Sequence, residues 1–265
     1  MSIAITLEII FNTVDLIVLS LVIYASIRLK VKEDGRLFKA FFIFAMISLA
    51  LEDIYWIAYD LLRGEQRMPF AGNEIADCAV ILLLASALAL TLGRKRAISP
   101  GSIVITLAFM LPITALWIAW SGQWVENIIF GLPYMYFLYV ILLCNRYHEV
   151  LGSGEGIAIA SVCVVIIILD YVSLIAGDFA SFIDPAGYVI MNLLTLYLLI
   201  RCIMSLKSDA SGLKSFVLSV ILFFYTCNVM YMSDGLMYDL ALLFNILPLT
   251  LMYLSVKKEY ADDAC

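Results

Sequence analysis

Residues 51–62 read Leu-Glu-Asp-Ile-Tyr-Trp-Ile-Ala-Tyr-Asp-Leu-Leu, which sets Glu52, Asp53 and Asp60 among Tyr55, Trp56 and Tyr59 at the end of a long apolar run. An acidic side chain at membrane depth costs about 2.5 to 3.5 kcal/mol on insertion scales, so the adjacent pair Glu52 and Asp53 requires partners, protons or water inside a bundle. On a helix, Glu52, Trp56 and Asp60 follow i, i+4, i+8 and share a face, with Asp53 beside it. Carboxylates supply charge, and aromatic faces attract a cation by about 0.5 to 2 kcal/mol, so the chemistry offered is recognition of an organic cation. Protonation of the acids would serve equally as a coupling step or a switch.

Other polar residues fall at the same level. Counting a rise of about 1.5 Å per residue from each expected outer helix end puts Asp77, Glu126, Asn127, Asp170, Asn192, Asn228 and Asn245 in the outer third to half, with Asp15 nearer the midplane. Tyr188, Asn192 and Thr195 follow one another along one segment, and Tyr225, Asn228 and Tyr231 step by three along the next. The expectation is a ligand site in which Glu52, Asp53, Asp77, Glu126 and Asp170 supply charge, Tyr55, Trp56 and Tyr231 an aromatic wall, and Asn192, Asn228 and Asn245 orientation. The plainer reading is an interfacial aromatic belt with hydrogen bonds between helices worth about 1 kcal/mol or less each. For a single Tyr or Asn that reading is the stronger; for buried acids it is the weaker.

The elements that must position these groups are membrane helices. Of the 265 residues 64% are hydrophobic and only 14% charged, against roughly a quarter in soluble domains. The expected fold is a single all-α polytopic domain over 1–265, with nine spans at about 6–28, 37–62, 73–93, 102–121, 124–145, 156–177, 184–205, 213–232 and 236–256. The weakest separations are Ser121-Gly122-Gln123 and Ser233-Asp234-Gly235, both short enough for tight helical hairpins. Arg28, Lys30, Lys32, Arg36, Lys39, Arg94, Lys95, Arg96, Arg146, Arg201, Lys207, Lys214, Lys257 and Lys258 fall on alternate connections, and only Arg63 and Arg67 fall on the others. The positive-inside rule then puts the N-terminus outside and the C-terminus in the cytoplasm. Most acids, from Glu8 and Asp15 to Asp178, Asp234 and Asp239, divide to the opposite side. Pro112, Pro133 and Pro248 lie within spans, and Gly131 beside Pro133 makes the fifth the expected bend.

Several function classes are excluded or weakened. A net charge of -6 without a basic, aromatic-laced run argues against nucleic acid. Six cysteines without a CxxC, beside one histidine, His148, give too few ligands for zinc or iron–sulfur sites, so neither metal nor cofactor is expected. His148 falls on the side opposite the acids, which removes a serine–histidine pair, and Asp170-Tyr171 lacks a glycine-flanked second motif for an aspartyl protease. The N-terminal run lacks a cleavage site and reads as a retained first helix.

From about Ile10 to Leu92, a first helix, a basic connection ending in Arg36-Leu37-Phe38 and a second helix closing in Asp53-Ile54-Tyr55-Trp56 resemble the multi-helix membrane input regions of bacterial signalling proteins such as diguanylate cyclases and histidine kinases. The resemblance implies a sensor in a bacterial cytoplasmic membrane, reporting to a catalytic output domain. With the chain read to Cys265 there is no room for such a domain, which leaves an excised sensor module, a stand-alone receptor signalling through a cytoplasmic partner or a homodimer, or a different function on a similar scaffold; the leading expectation is a sensory module. The alternative is a proton-coupled secondary transporter using the same pocket, with an intramembrane enzyme behind both.

Overall fold

The periodic apolar runs fold as helices and little else. The computed structural model describes residues 3–62, 72–93, 98–176, 180–208, 210–233 and 235–262. Among them run α1 (Ile3–Arg28), α2 (Arg36–Leu62), α3 (Gly72–Thr91), α4 (Pro100–Ser121), α5 (Trp124–His148), α6 (Ser153–Ala176), α7 (Ala180–Lys207), α8 (Gly212–Tyr231) and α9 (Gly235–Tyr260), with one 3₁₀ turn before α2. Eight of these helices, all but α2, are long and apolar enough to cross a membrane, which makes the chain a multi-pass membrane protein by composition and length. Both doubtful hairpins separate as helices. Gly122 ends α4 at φ 70°, a left-handed cap that glycine adopts without a Cβ clash, and Ser121 Oγ accepts the Asn127 side-chain amide at 2.6 Å across the turn. The proline at position 133 leaves α5 continuous, and Gly131 serves close packing instead: a Cβ there would lie 2.8 Å from Thr114 Oγ1 of α4.

The helices pack as two rings with a common wall. The first ring closes in the order α1, α2, α3, α5, α8, α9 and back to α1. In the second, α4, α6 and α7 join α5 and α8 from the other side. α8 belongs to both, and 67% of its apolar stretch is buried, against 11% for α6, which faces outward. On the wall, Phe224 of α8 packs against Phe137 and Tyr134 of α5 with centroids at 5.6 and 6.0 Å.

One end of the bundle gathers the basic side chains, and many of them cap helix C-termini, where the last carbonyls lack intrahelical donors. Lys39 Nζ donates to Leu29 O at the end of α1, and Lys258 Nζ to Leu206 O and Ser208 O at the end of α7. Arg201 forms an ion pair with Glu155 at 2.6 Å, and Lys32 N bonds Tyr260 O, so the first connection and the end of α9 lie together. His148 is at this end too, 3.0 Å from Thr91 Oγ1. Arg63, Glu65, Arg67, Arg94, Lys95, Arg96, Asp178 and Asp234 lie outside the described residues, as does the side chain of Asp239.

Candidate cation-binding site

At the opposite end the first ring is hollow and acidic. A vestibule of about 500 Å³ is bordered by Glu8 of α1, Glu52 and Trp56 of α2, Glu74 of α3, Trp117 and Trp120 of α4, Glu126, Phe130 and Tyr134 of α5, and Tyr231 of α8. Beneath it sits a small chamber of about 30 Å³, enough to hold a water molecule or two, lined by Asn12, Asp15, Glu52, Asp53, Asp77, Cys227 and Asn245. Glu52, Trp56, Met230, Tyr231 and Tyr238 line both spaces and form the throat between them. No Lys, Arg or His among the described residues lines either space.

Four of the ring helices contribute a polar residue to the chamber by the same local rule, one turn outward from an apolar one. Asp15 precedes Leu19, Asp77 precedes Ile81, Asn245 precedes Leu249, and Asp53 lies one turn from Leu49 on a helix running the other way; all four apolar residues are buried. Phe42, Met46, Leu84 and Phe216 continue the floor toward the basic end with no exposure above 1%. The chamber is therefore polar on the vestibule side and closed by apolar side chains on the other.

The carboxylates are buried, with relative exposures of 2% for Asp15, 8% for Glu52, 3% for Asp53 and 5% for Asp77. Asp77 is held by two phenols: Tyr231 and Tyr134 donate to its Oδ2 at 2.9 and 3.1 Å. These tyrosines and Trp117 form an edge-to-face triad, with centroids 5.3 Å (Trp117–Tyr134), 5.6 Å (Trp117–Tyr231) and 6.1 Å (Tyr134–Tyr231) apart. Asp15 Oδ1 and Asp53 Oδ2 are buried without a hydrogen-bond partner, and Glu52 lies close enough to Asp15, Asp53 and Asp77 for their charges to repel. A buried acceptor left unmatched costs about 1 to 3 kcal/mol, more when charged, so this chamber is built to receive a donor or a positive charge. Thr226 Oγ1 donates to Asn245 Oδ1, which fixes that amide beside the chamber. No three His, Cys, Asp or Glu among the described residues are gathered to hold a metal ion. The acids ring a space without converging on a point.

Of the residues expected from the sequence, Glu52, Asp53, Trp56, Asp77, Glu126, Tyr231 and Asn245 come together here. Four do not. Tyr55 stacks on Tyr59 at 6.0 Å and lines neither space. Asp170 lines a second pocket of about 120 Å³ with Ser173, Asp184 and Tyr188, which shares Trp120 and Tyr231 with the vestibule and in which Ser173 Oγ donates to Asp184 at 2.5 Å. Asn192 spans α7 and α9, from Tyr188 O at 2.8 Å to Met237 Sδ at 3.3 Å. Asn228 bonds Phe224 O and faces an apolar cleft of about 200 Å³ inside the second ring. The reason is rotational. Steps of three residues turn a helix by about 300°, so Tyr225 and Tyr231 on α8 point about 120° apart, one into each ring. Depth places a residue at a level but not in a ring.

Asp15, Asn12, Glu8, Glu74, Trp117, Trp120, Tyr134 and Tyr238 border the site and were not among the expected residues. On α1 the signal was present: Glu8, Asn12 and Asp15 follow i, i+4, i+7 and share a face. No family model, curated protein or solved structure matches this chain.

Proposed function

We propose that the protein is a membrane receptor that binds a small cationic molecule from outside the cell in the acidic chamber of its first ring. The observation that carries this reading is the adjoining vestibule and chamber, which share Glu52, Trp56 and Tyr231 and bear Glu8, Glu74 and Glu126 above and Asp15, Asp53 and Asp77 below, with no basic side chain among the described lining residues. Such a low-dielectric cleft of one sign focuses the field and concentrates counter-ions. In this account α2 is a ninth span, the acidic end faces outward and the basic end faces the cytoplasm of a bacterial cell, in line with the positive-inside rule.

Sensing is preferred to carriage because of the floor. Alternating access needs a route to both faces, and the ring beneath the chamber is filled by Phe42, Met46, Leu84 and Phe216. The likeness of the first third to signalling input regions supports a read-out through a cytoplasmic partner or a second copy of the chain. A thermal-shift screen of the purified protein against amines, amino acids, metal cations and pH tests the reading, since a ligand that binds only the folded form stabilises it by mass action. Stabilisation by amines supports it; proton-driven amine accumulation in proteoliposomes would replace the receptor with a transporter.

A further inference from the structure

The geometry points to a linear polyamine, a chain bearing two or more primary or secondary ammonium groups, as the ligand of this site. The inference rests on the cation-site reading and narrows it by shape. The chamber, at about 30 Å³, is far smaller than the vestibule and suits a compact primary ammonium head. The vestibule above it, at about 500 Å³, has room for a chain that continues outward. Acids therefore occur in two tiers. Glu8 and Asp15 lie on one face of α1 seven residues apart, which separates the tiers by about 10 Å along the helix.

Between the tiers the walls are aromatic. Trp56, Tyr231 and Tyr134 can clad a methylene chain with apolar surface and attract its nitrogens through their ring faces. At the lower end, the unmatched Asp15 Oδ1 and Asp53 Oδ2 are acceptors for the three N–H groups of a primary ammonium, and each residue is more than nine-tenths buried. A compact metal dication fits less well, because it needs several oxygens converging on one point and no three metal-ligating side chains among the described residues do so. Charge distributed along a chain is what two separated tiers of carboxylate complement.

Titration calorimetry of the purified full chain at constant ionic strength, with spermidine, butylamine and magnesium chloride as probes, tests this. The expected result is spermidine at least tenfold tighter than butylamine and no comparable magnesium binding. In the double variant Glu8→Gln, Glu126→Gln, which keeps the lower tier, spermidine affinity should fall at least tenfold and butylamine affinity by much less, so that the preference for spermidine collapses. Equal affinities for the two amines, or magnesium binding as tight as spermidine, would overturn the polyamine assignment and leave a simple cation site. Absence of binding by both amines would overturn the cation site itself.

Discussion

The phenol of Tyr231 on α8 lies 2.9 Å from Asp77 Oδ2 on α3, across the interior of the first ring, and ties two helices that otherwise touch only slightly. Tyr134 on α5 reaches the same oxygen, so one carboxylate joins three helices. Hydrogen bonds to charged groups contribute about 1.5 to 3 kcal/mol. Tyr231→Phe and Tyr134→Phe should each lower the unfolding free energy by about 1 to 2 kcal/mol, since the second phenol remains. The double variant should lose more than the sum, because Asp77 then has neither donor. Simple additivity in denaturant unfolding would show that the phenols do not share this load.

Neutralising an acid should separate stability from binding. Without a ligand, Asp53 faces the charges of Asp15 and Glu52 with one oxygen unmatched. Asp53→Asn should therefore raise the melting temperature of the free protein, a gain of about 0.5 to 2 kcal/mol, while abolishing the amine-induced shift. A variant that melts lower and still responds to amine would mean that Asp53 is structural.

The acids of the two pockets should behave independently, although Trp120 and Tyr231 wall both. Asp170 lies in the second pocket, beside Asp184 and apart from the chamber acids. Asp170→Asn is expected to leave amine affinity within about twofold of wild type, whereas Trp56→Leu, which strips the throat of its aromatic face, should weaken it by about 0.5 to 2 kcal/mol. The reverse pattern in calorimetry would move the site to the second ring.

Close packing at the basic end gives a prediction about the fold alone. A Cβ on Gly212 would lie 2.6 Å from Ser255 O and 2.7 Å from Glu259 N, both backbone atoms of α9. Gly212→Ala should force α8 and α9 apart at a cost of about 1 to 3 kcal/mol, read as a lower melting temperature. An unchanged melting temperature would contradict the tight approach.

The all-helical fold, the helix limits within a few residues among the described residues and the breaks at both short connections were legible in the sequence because each depends on local composition. By contrast α2, which carries Glu52 and Asp53, is the one expected span that is not apolar enough to cross by composition. The gathering of Arg146, Arg201, Lys214 and Lys258 at one end was legible for the same reason, since it follows from counting connections. The pairing of Glu52 with Asp53 marked the chamber because an acid in an apolar run has few innocent explanations. Asp15 went unassigned and Asn192, Asn228 and Asp170 were assigned too readily because a sequence gives level and phase along one helix, whereas ring membership depends on which helices meet. Nothing local to α6 or α7 says that they close a second ring against α8.

The most direct test of the central claim is calorimetric titration of spermidine and butylamine into wild-type protein and into Glu52→Gln, Asp53→Asn, with thermal unfolding recorded to confirm that both are folded. The account predicts saturable amine binding by the wild type and its loss from a variant that melts no lower. Unchanged binding by the variant, or no binding by a folded wild type, would contradict an acidic amine site in the first ring.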